Sequence, residues 1–91
     1  MTSKLVRPRL KGLIYRCQHR GVKELDLLLG GFAQKYLSDF TDSQLVLFEN
    51  LLDCPENDLL DWVTGVAPAP EEYATNVLEK IRTFVLTLYE E

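Results

Sequence analysis

Apolar residues recur at helical spacing from one end of this chain to the other, and that pattern limits the fold more than any other feature. Leu10, Leu13, Ile14 and Cys17 stand at i, i+3, i+4 and i+7. Leu25, Leu28, Leu29, Phe32 and Tyr36 make a second stripe, and Leu45, Phe48, Leu51 and Leu52 a third. Tyr73, Val77, Ile81, Phe84 and Leu88 make a fourth near the C-terminus. Each set falls on one face of a helix with 3.6 residues per turn. No segment sustains the period-two alternation of a half-buried strand. The chain is therefore expected to be all-α.

Local signals divide that pattern into five helices. Pro8 suits an early helical position, where its missing N–H costs nothing, so the first helix is placed at about 8–17. The second is placed at 22–37, with Glu24 and Asp26 in its first turn complementing the helix dipole. Thr41-Asp42-Ser43-Gln44 reads as a capping box opening the third, which Cys54-Pro55 ends. Pro55 opens a short fourth helix at 55–64, and Gly65 is a natural stop. A semi-rigid Ala/Pro linker at 66–70 leads to Pro70-Glu71-Glu72, which is expected to start the last helix. With 91 residues, the chain makes one domain spanning 1–91, a small five-helix bundle, with residues 1–9 as a flexible basic tail. The tail is rich in arginine and free of acid, as a transit peptide is, but helical patterning starts so soon after it that little is left to cleave. The mid-helix pair Gly30-Gly31 costs roughly 1 kcal/mol per glycine relative to alanine, which close helix packing would offset. A phosphate loop is the weaker reading of that pair, because no Gly-rich phosphate motif surrounds it.

Charge is unevenly spread. Seven bases and no acid precede Glu24, and from Glu24 onward fourteen acids face three bases, for a net charge of -4. That balance argues against a protein devoted to nucleic acid, although the basic first helix keeps such a module as the alternative reading. Against it, no aromatic stacking platform or recognition helix is present, and Glu24 and Asp26 would repel phosphates beside Arg20. Cys17 and Cys54 follow no metal-ligand spacing and, with His19 the sole histidine, no zinc site is expected. Both read as reduced, partly buried thiols. His19 reads as a surface residue near a helix end. No Ser/His/Asp constellation, Cys–His pair or dinucleotide fingerprint stands out, so neither enzymatic chemistry nor a tightly bound dinucleotide cofactor is expected. Glu24 and Asp26 are two residues apart and diverge on a helix, which is unsuited to paired acid–base work. No apolar run reaches the roughly 20 residues of a membrane span.

The two charge regions meet at Arg20-Gly21-Val22-Lys23-Glu24-Leu25-Asp26. If this turn were helical, Arg20 and Glu24 would share a face beside a glycine able to take positive φ. The stretch resembles the Arg-Gly-x-x-Glu signature of the succinate dehydrogenase assembly (flavinylation) factor family. Downstream, Leu45-x-x-Phe48-Glu49-x-Leu51-Leu52-Asp53 followed by Asp58-Leu59-Leu60-Asp61-Trp62-Val63 resembles that family's leucine-rich segment and tryptophan. The similarity runs from about Leu10 to Gly65. It implies an assembly chaperone that binds the flavoprotein subunit of succinate dehydrogenase, or of fumarate reductase, and promotes covalent attachment of FAD, the client's cofactor. It also implies partner contacts at Arg20, Gly21, Glu24 and Asp26. Trp62 would be a further contact if its ring is partly exposed, and a core residue otherwise. A monomer is expected when free, located in the cytoplasm if bacterial or in the mitochondrial matrix if eukaryotic.

Overall fold

Leu13 and Cys17 lie one turn apart on the first helix, and both are buried. Leu10 and Ile14 beside them are half-buried, so the predicted stripe is the inner face of α1 (Val6–Gln18). The computed structural model describes residues 6–89, without the side chains of residues 6 and 7. Helix begins at Val6, so the tail expected at 1–9 is already helical from its sixth residue, and residues 1–5 lie outside the described part. Pro8 is the third residue of α1. It still lies in the first turn, where backbone N–H groups lack intrahelical acceptors.

Among the described residues every element is helical: α1, then α2 (Lys23–Tyr36), α3 (Asp42–Leu52), α4 (Glu56–Thr64) and α5 (Asn76–Leu88). Short 3-10 turns occupy Leu37–Asp39 and Glu71–Tyr73. The fold is all-α with five helices, as the spacing predicts. The helices fall into two compact units, Met1–Phe40 and Thr41–Glu91.

In the first unit α1 packs on α2. The buried face of α2 comprises Leu25, Leu28, Leu29, Gly30, Phe32 and Ala33. Phe32 meets the rings of Tyr36 and Phe40 at centroid distances of 5.2 and 5.8 Å. The two glycines divide their roles. Gly30 is buried, and a Cβ there would come within 3.0 Å of Gln18 Cγ at the end of α1. Packing of the Gln18 side chain therefore accounts for a residue without a Cβ at Gly30. Gly31 is exposed, and helix packing does not explain it.

In the second unit α5 packs on α3 and α4. The expected capping box forms: the Gln44 N–H donates to Thr41 Oγ1 at 3.2 Å, and the Thr41 N–H donates to Gln44 Oε1 at 2.9 Å. Gly65 closes α4 with φ 81°, the left-handed stop its position implies. The last helix departs from expectation. Glu71–Tyr73 form a separate 3-10 turn, and Ala74, at φ -82° and ψ 67°, leaves helical geometry. Thr75 then caps α5 by accepting the Leu78 N–H at 3.4 Å. The start signal at Pro70 lost to a cap five residues later, because a threonine hydroxyl satisfies an end N–H that proline cannot. The buried stripe of α5 is accordingly Val77, Leu78, Ile81 and Val85. Phe84 is half-buried, and Leu88 is exposed.

Candidate functional site

The Arg20–Asp26 segment is a turn before it is a helix. α1 ends at Gln18, and α2 starts at Lys23 with Val22 as an extended N-cap that contributes no side-chain hydrogen bond. Between them the chain reverses through Gly21, whose φ of 112° lies where a Cβ would clash with the backbone. Asp26 secures the reversal: its Oδ1 accepts the Arg20 N–H at 2.9 Å, and its own N–H donates to the Val22 carbonyl at 2.9 Å. One carboxylate thus serves a backbone donor that the end of α1 leaves outside the helix.

The condition on which the shared-face reading of Arg20 and Glu24 rested, a helical turn, is not met. Arg20 belongs to the turn, so the i, i+4 relation of a helix does not apply to it. Arg20 is half-buried with its Nε out of contact with solvent, whereas Glu24 is exposed in the first turn of α2. The two acids diverge as expected, Asp26 folding back onto the turn and Glu24 facing outward. On the α1 side, the exposed His19 stacks on Tyr15 with ring centroids 4.0 Å apart, and its Nδ1 lies 2.9 Å from the Tyr15 carbonyl oxygen. Cys17 lies beneath. Burial pushes its thiol up to about 12, against the opposing pull of the Arg20 and Arg16 charges, with Asp26 adding to the rise. A thiol so held stays protonated and is a poor nucleophile.

Trp62, the remaining candidate, sits in the second unit and is 8% exposed. Its ring stacks on Tyr73 at 5.4 Å between centroids and 24° between planes. Of the two readings of this tryptophan, the structure realises the core one, since the contact reading needs an exposed ring. The Cys54 thiol donates to the Asn50 carbonyl at 3.5 Å, and its proximity raises the Tyr73 hydroxyl above its ordinary value. Both cysteines are free thiols. Among the described residues no three His, Cys, Asp or Glu side chains are grouped to hold a metal ion, and no helix is long and apolar enough to cross a membrane.

Sequence reasoning singled out the turn but missed its mechanics. The resemblance implies Asp26 as a contact, whereas its role as the latch of the turn is legible only as an acid six residues after an arginine. That spacing means nothing until the chain reverses.

Five short helices, with a charged motif on a constrained turn between the first two, define a small helical protein. The chain belongs to the flavinator of succinate dehydrogenase family, whose model matches residues 11–85. It is 38% identical over 79 residues to succinate dehydrogenase assembly factor 2, mitochondrial, of Drosophila grimshawi, covering 85% of this chain and 54% of that protein. It is 40% identical over 73 residues to the FAD assembly factor SdhE of Acetobacter pasteurianus, covering 80% of this chain and 67% of that protein. Against the mitochondrial assembly factor 2 of Schizosaccharomyces japonicus it is 39% identical over 85 residues, covering 92% and 57%. The chain thus spans somewhat more than half the length of these mitochondrial relatives and two thirds of the bacterial one. Family membership supports the assembly-factor reading and lends nothing to the nucleic-acid alternative.

Proposed function

We propose that this chain is an assembly chaperone that binds the flavoprotein subunit of succinate dehydrogenase and promotes covalent attachment of FAD to it. The observation that carries the reading is the latched turn. Gly21 at positive φ, in a turn latched by the Asp26 carboxylate, leaves a stretch of backbone without a side chain between Arg20 and Glu24 in the chain. Such a surface admits close approach by a partner's main chain.

In this reading the chain performs no bond chemistry itself. FAD belongs to the client, and the resemblance implies attachment at a client histidine through the flavin's own reactivity. The chaperone's contribution is positioning: it holds the subunit so that the reacting atoms meet, which lowers the entropic part of the barrier. The fumarate reductase flavoprotein is a second client of the same kind. The free protein is a monomer, and it acts where its client folds, in the bacterial cytoplasm or the mitochondrial matrix.

The test is flavin fluorescence of the denatured flavoprotein subunit from cells with and without this chain. Covalent flavin survives denaturation, so the band reports attachment directly. The expected result is loss of the band in the absence of the chain, with rescue by wild type but not by Arg20→Ala or Glu24→Ala. An undiminished band in cells lacking the chain overturns the proposal.

A further inference from the structure

A groove of about 390 Å³ opens beside the latched turn, within the first unit. Its near end is Lys23 and Asp26, and it runs along α2 past Leu27 and the Gly30-Gly31 pair to Gln34, with Gln18 of α1 on the opposite wall. Three observations concern its occupant. First, Gly31 is exposed in the middle of a helix and lines the groove, at a position where most other residues would favour the helix. A glycine retained there leaves the backbone approachable. Second, the one cation and one anion of the lining cancel, which disfavours a polyanion and suits an uncharged main chain. Third, the Gln18 and Gln34 carboxamides each offer both donor and acceptor, the complement of a peptide unit, while Leu27, 70% exposed, offers an apolar contact. From Lys23 to Gln34 the helix advances about 16 Å at 1.5 Å per residue. About five residues of extended chain span that distance at 3.3 Å each.

We infer that this groove holds an extended segment of the client flavoprotein subunit, about five residues long. Its main chain passes over Gly30-Gly31, and one apolar side chain rests on Leu27. The inference rests on the chaperone reading above and extends the docking surface from the Arg20 turn along α2.

The experiment measures binding of the purified apo flavoprotein subunit of succinate dehydrogenase by calorimetry, using the full chain as wild type, Gly31→Leu and Arg20→Ala. Gly31→Leu replaces an exposed helical glycine with a strong helix former, so its Tm should rise by roughly 3–6 °C. Its Kd should weaken at least about tenfold, the loss typical of a blocked central contact. Binding by Gly31→Leu within about twofold of wild type, while Arg20→Ala weakens it, overturns the groove and leaves the chaperone reading standing. No binding by wild type overturns both. A photo-crosslinker at Leu27 locates the occupant: crosslinks confined to one short continuous client segment support the proposal, and crosslinks scattered over separate segments overturn it. A wild-type dimer in sedimentation that Gly31→Leu dissociates also overturns it, assigning the groove to a second copy of this chain.

Discussion

At Gly21 a structural role and the proposed docking role fall on one residue. A bulky residue there would block close approach to the turn, but φ of 112° makes any side chain a source of backbone strain as well. Gly21→Ala is expected to destabilise the protein by about 1–3 kcal/mol, visible as a lower Tm. Lost flavinylation in that variant therefore does not isolate docking, whereas Glu24→Ala, at an exposed position, should lose function at nearly unchanged Tm. Cys17 supplies a second prediction at this scale. Burial raises its thiol from 9.0 to about 12, so the native state holds the proton more tightly than the unfolded chain does. That contribution is fully present below about pH 9 and is lost as pH climbs toward 12, at up to about 1.4 kcal/mol per pH unit. Urea unfolding at pH 8 and pH 11 should show a steeper loss of stability in wild type than in Cys17→Ala.

At the scale of the helix, caps decide where elements begin. The reciprocal bonds of Thr41 and Gln44, at 2.9 and 3.2 Å, secure two end N–H groups of α3, while Thr75 secures one for α5 at 3.4 Å. Thr41→Ala should cost about 1 kcal/mol and Thr75→Ala less, as read from denaturant midpoints at constant m. The same comparison shows what local sequence conveys. The α3 boundary was readable because the signal and the cap coincide at Thr41. The α5 boundary was not, because Pro70-Glu71-Glu72 is a sound start signal that opens only a 3-10 turn. Local propensity could not weigh that turn against the later cap at Thr75.

For the whole molecule, the margin is small. A chain of this length has roughly 5–14 kcal/mol of stability to lose. Trp62 is buried against Tyr73 in the second unit, and Trp62→Ala should cost about 3–5 kcal/mol, lowering Tm by more than about 12 °C. Any loss of flavinylation in that variant should therefore come with a thermal shift that Glu24→Ala lacks. The pair of measurements separates a residue that supports the fold from one proposed to meet the partner.

The sequence by itself determined the all-α class, the burial of Leu13, Cys17, Leu25, Phe32, Phe48 and Leu51, and the capping box at Thr41. These follow from periodicity and short-range hydrogen bonding, which depend only on residues a turn or so apart. Tertiary structure decided the rest. Whether Arg20 lay on a helix or in a turn depended on where the chain reversed between α1 and α2. Gly30 and Gly31, identical in sequence terms, separated only when Gln18 of α1 came to lie against the first, which is buried while the second is exposed. Asp26 became a latch, and Trp62 a core residue, through contacts with Arg20 and Tyr73 that arise only once the chain folds back on itself.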